Sequence, residues 1–249
     1  SLSGICLLAA ALAVRGGATY DGPVDVAVLD DSNVDRLAPA GKEADAIFGD
    51  IVLRNQHLAA VIATALPTRH ANMTVRDVAG CLIALTSPES GSDQLSAYYP
   101  GRRQDAFRSW SVQVDNSPAS DPAAAPTAGR TAAVTVHAAG DDDRPQVDLT
   151  YTLVDDEKFL TITTRYTNTG NNAIDVELAD DLRADGGKED MVKSPNETSN
   201  LFWFDDRYWL QACAVRADIE GSSTVSLDPG QSVTLTRRIS AGPNLPEVR

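Results

Sequence analysis

The sequence predicts an all-β protein made of two large antiparallel sheets packed face to face. Three observations predict this class. Short apolar and β-branched segments recur along the chain, turn residues separate them, and after the first 20 residues no segment keeps helical apolar spacing for four turns. About a dozen strands in roughly 200 residues suit two large sheets. A closed or partly open β-barrel is the alternative.

Length and charge set the next limits. The chain has 249 residues, 43% of them apolar, and a formal net charge of −14. A single all-β domain over residues 19–249 fits this size, and that apolar content can fill its core. The negative charge, with no basic run longer than two residues, argues against binding to nucleic acid or to an anionic membrane surface. Neither is expected as a partner.

The first 18 residues read SLSGICLLAAALAVRGGA, an apolar stretch followed by small residues. Gly16 and Ala18 fit the small-x-small pattern of a signal-peptidase site. We interpret residues 1–18 as the remnant of a signal peptide, which predicts export to the periplasm or the extracellular space of a bacterium. The alternative is a buried helix or a first strand. Beyond this segment, no apolar run approaches the roughly 20 residues that span a bilayer.

The first half of the chain is expected to hold one helical turn and a β meander. Pro39 ends the helical turn, and the polar triplet 54–56 separates two strand-like runs as a hairpin loop does. In order, the expected elements are the helical turn 34–37, the hairpin strands 46–53 and 57–63, and the β-rich pieces 73–76 and 81–86.

The middle of the chain combines a strand with a long loop. In residues 107–115, Trp110, Val112 and Val114 alternate with polar residues, as a half-buried strand requires. Residues 116–130 concentrate Pro, Ala and Ser without periodicity, which predicts an exposed loop. A linker between two domains is the alternative, but the similar strand patterns on both sides favour a loop within one domain.

The second half alternates more strongly and predicts an antiparallel meander. Turn-rich residues 155–158 and 168–172 join its strands, and Asp228-Pro229-Gly230 forms the last turn. The strands are expected near residues 134–136, 147–153, 159–166, 174–178, 223–227 and 232–239.

Catalytic signatures are missing from the sequence. His57, His70 and His137 lack metal-binding spacing, and no nucleophile elbow, dinucleotide fingerprint or phosphate loop occurs. We therefore predict no catalytic residue, no metal and no cofactor for this chain. The acidic run 141–143 is interpreted as a solvated turn. Cys81 and Cys213 lie in apolar contexts, where they either form a disulfide or remain buried thiols.

One segment is a candidate ligand site because it places aromatic rings beside charged groups. Aromatic rings stack on the C–H faces of sugars, and charged groups bind hydroxyls. Strand alternation places Trp203 with Asp205 and Arg207 on an outer face and Phe204 on the core side. A core-forming strand pair is the alternative. The candidate ligand-binding residues are Asp181, Arg183, Asp185, Trp203, Asp205, Asp206, Tyr208 and Trp209.

Three stretches carry a family resemblance: GKEADAIFGDIVLRN at 41–55, ANMTVRDVAG at 71–80 and DQLSAYYP at 93–100. They resemble the N-terminal region of large exported planctomycete-type proteins, the CehA/McbA-type metallohydrolases with a PHP (polymerase and histidinol phosphatase) catalytic domain further along. PHP domains begin their metal site with a His-x-His pair, which this chain lacks. The resemblance implies a non-catalytic β domain, with any hydrolase activity in a catalytic domain beyond residue 249.

The later half, from residue 147 to 186 and at 227–232, resembles the β-supersandwich of galactose-mutarotase-like domains. This resemblance implies a supersandwich fold. Two functions follow. The first is an exported accessory or carbohydrate-binding module. The second is a sugar-active enzyme, a lyase, epimerase or hydrolase, that uses carboxylates with Tyr and Arg groups.

Overall fold

The structure is a computed structural model that describes residues 22–41, 44–87, 92–119, 127–184, 192–193, 200–208, 210–218 and 223–248. The signal-peptide interpretation of residues 1–18 lies outside these ranges. The described helices are α1, Val34–Leu37, and α2, Leu245–Val248, with a 3-10 turn at Gly101–Arg103. The described strands are β1 Val24–Val28, β2 Ile51–Arg54, β3 Ala59–Ile62, β4 Leu82–Thr86, β5 Leu95–Pro100, β6 Ser109–Val114, β7 Ser117–Pro118, β8 Thr127–Gly129, β9 Thr131–Ala138, β10 Gln146–Val154, β11 Leu160–Thr167, β12 Ile174–Glu177, β13 Asp180–Ala184, β14 Val192–Lys193, β15 Asn200–Asp206, β16 Gln211–Ala217, β17 Thr224–Leu227 and β18 Ser232–Gly242.

Two antiparallel sheets form the sandwich. The seven-stranded sheet has the order β13-β5-β4-β3-β2-β1-β8, and the nine-stranded sheet has the order β14-β15-β16-β18-β11-β10-β9-β6-β7. β12 and β17 form a separate pair. The end strands of each sheet do not pair with each other among the described strands. The predicted all-β sandwich is therefore confirmed, and the barrel alternative is wrong.

The core lies between the two sheets. Every second residue of β9, β10 and β11 is buried there, including Val134, Leu149 and Ile162. Strands β1 to β5 of the seven-stranded sheet are buried on both faces, because the segments around α1 and residues 64–80 cover their outer side with Leu37 and Val75. This double burial explains why these strands are mostly apolar along their length, whereas the nine-stranded sheet alternates.

Most expected elements are confirmed, including α1, the β2-β3 hairpin, β4, β6 and the β9-β10-β11 meander. Residues 73–76 were wrongly predicted as β-rich. They belong to a loop whose Val75 is buried against the outer face of the seven-stranded sheet. This apolar residue covers the sheet and is not part of a paired strand. The described residues of the expected loop 116–130 include two short strands, β7 and β8, which belong to opposite sheets.

The last predicted turn has a different role from the one expected. Asp228-Pro229-Gly230 connects β17 to β18, but β17 pairs with β12 and β18 pairs with β11 and β16. Gly230 has a φ of +80°, which a residue without a Cβ adopts most easily. The turn thus moves the chain from the small sheet into the centre of the nine-stranded sheet.

The described part of the chain contains no helix with the length and apolar character needed to cross a membrane. Each of its two α-helices has four residues.

A buried ion pair joins the two sheets. Arg237 on β18 is fully buried, and its Nε and Nη2 donate to the two carboxylate oxygens of Asp180 on β13 at 2.8 and 2.5 Å. The Tyr98 hydroxyl donates to Asp180 Oδ2 at 2.7 Å, and Arg237 Nη1 donates to Thr164 Oγ1 at 2.5 Å. Asp180 and Tyr98 belong to the seven-stranded sheet, and Arg237 and Thr164 belong to the nine-stranded sheet.

The first prediction concerns this ion pair. Arg237→Met leaves the Asp180 carboxylate buried without its cation, so it should lower the free energy of unfolding by about 3–5 kcal/mol. Arg238→Met, one residue along the same strand on the exposed face, is the matched control and should change it by less than about 1 kcal/mol. Urea denaturation of both variants provides the measurement. Equal costs for the two substitutions would show that the buried pair does not hold the sheets together.

Candidate functional site

The predicted site residues on β13 lie at the edge of the seven-stranded sheet. The Asp181 carboxylate pairs with Arg103 at 3.0 Å, and the Arg103 guanidinium lies over the Tyr99 ring at 3.9 Å. Arg183 Nη1 donates to the carbonyl oxygen of Thr74 at 3.0 Å. These contacts connect β13 to the 3-10 turn at residues 101–103 and to the loop around Thr74. In the structure, Asp181 and Arg183 therefore have a structural role.

Trp203 is placed differently from the expectation. Strand alternation correctly separates it from Phe204, which lies in the core between the sheets. The opposite face is not open at this point, because α2 packs on it and leaves Trp203 only 7% exposed against Ala214 and Val248. A buried indole has little ring surface for stacking on a sugar, so the expected outer platform at Trp203 is wrong.

The remaining residues of the predicted cluster lie at the β15-β16 turn. Asp205 contacts Arg207 at 3.2 Å, and Asp206 Oδ1 accepts a hydrogen bond from the backbone N–H of Tyr208 at 3.0 Å. Tyr208 is 84% exposed. Asp185 and Trp209 lie outside the described residues. The described contacts of this group are within its own hairpin, and its assignment to ligand binding stays a prediction.

A pocket that the sequence analysis missed lies on the outer face of the nine-stranded sheet. It has a volume of about 260 Å³ beside α2. Three cations line it: Lys158 from the β10-β11 turn, Arg216 from β16 and Arg238 from β18. The Phe159 ring forms part of its wall, with the Arg238 guanidinium 4.9 Å from the ring centroid. We call the site lined by Lys158, Phe159, Arg216 and Arg238 the cationic pocket.

In the described part of the chain, the three cations of the cationic pocket are not held in ion pairs. Within the described ranges, Lys158, Arg216 and Arg238 make no ion pair. Arg216 and Arg238 are direct cross-strand partners, and like charges at such positions destabilise a sheet. Glu247 also lines the pocket and accepts a hydrogen bond from Asn244 Nδ2 at 2.7 Å, so three cations face one carboxylate and the lining keeps an excess of positive charge. The arrangement is suited to an anionic ligand.

A second pocket of about 330 Å³ shares Lys158 and Glu247 with the cationic pocket. Polar side chains line it, among them Gln56, His57 and Ser87. Together the two pockets offer cations, one aromatic wall and hydroxyl-binding groups along a continuous surface. His57 was interpreted as a residue beside a hairpin turn, and it occupies that place.

The cationic pocket leaves only a weak trace in the sequence. Arg237 and Arg238 are adjacent on a strand, so one must face inward and the other outward. Arg216 lies 22 residues earlier in sequence, and only the β16-β18 register shows that it meets Arg238. A search for short motifs cannot find such a site.

Several groups considered from the sequence are inert in the structure. Cys81 and Cys213 are free and buried, so the disulfide alternative is wrong, and burial raises the pKa of Cys81 to about 12. At such a pKa the thiol is not a nucleophile at neutral pH. The acidic run forms the expected turn, with Asp143 N donating to Asp141 Oδ1 at 3.0 Å. Among the described residues, no three metal-ligating side chains lie close enough to share an ion.

Asp105 is an acid whose surroundings alter its pKa. Burial raises the pKa of its carboxyl from 3.8 to about 6, partly opposed by Arg144. The carboxyl lies beside Gly101, whose φ is +74° and where an added Cβ would be 2.6 Å from Asp105 Oδ2 and 3.3 Å from the Tyr166 hydroxyl oxygen. Because Gly101 has no side chain, the Asp105 carboxylate and the Tyr166 hydroxyl can both lie close to the backbone at this position.

Comparisons with known proteins give no family assignment: no protein-family model and no curated protein match the chain. Similar solved structures include a TPR-domain containing protein from Parabacteroides distasonis, at 14% identity and a TM-score of 0.38 over 79% of this chain and 47% of that chain. They also include the galactosidase domain of an alpha-galactosidase-sucrose kinase, at 10% identity and a TM-score of 0.41 over 78% of this chain and 41% of that chain.

A galactose mutarotase-like protein from Lactobacillus casei is similar at 11% identity and a TM-score of 0.38, over 78% of this chain and 100% of that chain. The chain spans less than half the length of the first two structures. With identities and TM-scores this low, activity and ligand must be argued from the residues of this chain itself.

The second prediction concerns Asp105. Because folding raises the pKa of Asp105, its protonated carboxyl contributes to the free energy of unfolding. This contribution is greatest below about pH 4 and is lost as the pH rises through about 6. Asp105→Asn removes this loss. It should increase the free energy of unfolding at pH 8, relative to its effect at pH 4, by up to about 3 kcal/mol.

Denaturation curves at the two pH values measure this difference. Asp143→Asn on the exposed turn is the control and should behave alike at both. A cost of Asp105→Asn that is the same at pH 4 and pH 8 would contradict the raised pKa.

Proposed function

We propose that this chain is a binding module that holds an anionic carbohydrate in the cationic pocket. The observation that carries the proposal is the direct cross-strand pair Arg216 and Arg238, which is unfavourable in the free protein and becomes favourable when an anion lies between the guanidinium groups. A carboxylate of a sugar has two terminal oxygens and a sulfate ester has three. A guanidinium group can bind two such oxygens at once. Lys158 adds a third positive charge.

The surroundings of the cations favour a sugar over a simple inorganic anion. Phe159 provides an aromatic wall for C–H groups, and Ser240, Gln56 and His57 provide hydrogen-bonding groups for hydroxyls. Three cations on a protein of net charge −14 are too few to follow a nucleic acid backbone. The surface of the two adjoining pockets suits a short stretch of an acidic polysaccharide.

The biological setting we propose is an exported accessory domain of a larger metallohydrolase-type protein. The apolar segment at 1–18 and the resemblance of residues 41–100 to CehA/McbA-type proteins support it. The complete reading frame tests the idea. A basic segment and start codon upstream, with a His-x-His catalytic domain downstream, are expected. A stop codon directly after Arg249 would overturn the accessory role.

The third prediction tests the cationic pocket directly. Calorimetric titration should show binding of trigalacturonate, and the affinity should fall as salt increases because the contacts are ionic. Arg216→Gln or Arg238→Gln removes one charge-assisted contact and should weaken binding about 10-fold. Arg216→Gln should not reduce stability, since it also removes the like-charge pair.

Two controls accompany this titration. Arg165→Gln changes a cation on the same face of the nine-stranded sheet but outside the pocket, and it should leave the affinity unchanged. Maltotriose, which has the same number of sugar rings and no charge, should bind at least about 10-fold more weakly. Equal affinity for the two trisaccharides, or full affinity in both pocket variants, would refute the proposed function.

A further inference from the structure

A Ser–His–Asp hydrogen-bonded line crosses three neighbouring strands on the outer face of the nine-stranded sheet. Asp148 on β10 is directly opposite His137 on β9, and its Oδ1 is 2.7 Å from His137 Nδ1. Ser111 on β6 is the diagonal neighbour of His137, and its Oγ is 3.3 Å from His137 Nε2. Direct and diagonal neighbours on one sheet face lie within reach of each other. The strand register therefore places a hydroxyl, an imidazole and a carboxylate in that order.

The carboxylate decides which nitrogen of the ring carries the proton. An ionised carboxylate can only accept hydrogen bonds, so His137 Nδ1 must donate to Asp148. In the neutral imidazole, Nε2 then presents its lone pair to the Ser111 hydroxyl. This is the tautomer that a general base needs when it removes a proton from a serine.

We infer that Ser111, His137 and Asp148 give this chain a slow acyl-transfer activity toward activated esters. The inference goes beyond the proposed binding role and uses none of the residues of the cationic pocket. Ser111 acts as the nucleophile and His137 as the general base. Asp148 is a positioning residue, since it acts on the substrate only through the imidazole ring.

The reaction is a hydrolysis in two steps. Ser111 Oγ forms a bond to the ester carbonyl carbon as its proton moves to His137 Nε2, and the resulting tetrahedral adduct expels the alcohol oxygen, which takes that proton back. Water then attacks the acyl-serine in the same way, with His137 again accepting and returning a proton. One ester and one water give one acid and one alcohol.

The setting explains why the activity should be slow. His137 and Asp148 side chains are 38% and 32% exposed on an open sheet surface. On so exposed a surface, water solvates the developing oxyanion, and enzymes that lose a fixed oxyanion donor are roughly 100- to 1,000-fold slower. An ester with a good leaving group is therefore the appropriate substrate.

A fluorophosphonate probe and p-nitrophenyl acetate test the inference on the full chain. The probe should form a covalent bond to Ser111 Oγ with loss of fluoride, and mass spectrometry of peptides should locate it there. The acetate ester should release p-nitrophenol above the background rate. His137→Gln removes the base and should slow both reactions about 100-fold.

Matched variants separate catalysis from structure. Ser111→Ala should abolish labelling, whereas Ser109→Ala, on the same face and strand, should leave it unchanged. Asp148→Asn keeps the shape of the side chain but no longer fixes the tautomer, so it should lower the labelling rate at least about 10-fold without a matching change in the unfolding midpoint. Absence of label on Ser111, or full labelling in His137→Gln, would show that the line is only a cross-strand structural contact.

Discussion

The ion pair between Arg237 and Asp180 fixes the relation between the two sheets. A buried guanidinium needs hydrogen-bond acceptors around it, and here the Asp180 carboxylate, the Thr164 hydroxyl and the Leu235 carbonyl oxygen together accept four hydrogen bonds from Arg237. Because both carboxylate oxygens accept from the guanidinium, a shift of β18 by one residue would turn Arg237 to the outer face and leave the Asp180 carboxylate buried without its cation. The pair thus sets the register of β18 against its neighbours.

That register has a consequence on the opposite face. With Arg237 facing the core, strand alternation forces Arg238 outward, directly across from Arg216. The inward arginine is neutralised within the protein, and the outward one is left with the Phe159 ring and a second arginine. The inward orientation of Arg237 therefore explains two features of this acidic protein, the buried ion pair between the sheets and the positively charged pocket on the surface. The free energy that a bound anion supplies would offset the repulsion.

The sequence predicts the architecture well because the alternation of apolar and polar residues marks each strand and its buried face. Val134, Val136 and Leu149 mark strands whose inner faces meet in the core, and the structure confirms them. The partners of β17 and β18 could not be predicted, since two strands joined by a short turn usually pair and these do not. The burial of Trp203 also escaped prediction, because its cover comes from α2, which begins 42 residues later in the sequence. The cationic pocket depends on cross-strand register, which no local pattern encodes.

We propose that the cationic pocket is the ligand site of this protein. A crystal structure of the protein grown with trigalacturonate tests it most directly. We expect a sugar carboxylate within hydrogen-bonding distance of the Arg216 and Arg238 guanidinium groups, with Lys158 beside it. Density for the trisaccharide at the β15-β16 turn near Tyr208, with the cationic pocket empty, would show that the ligand site lies elsewhere.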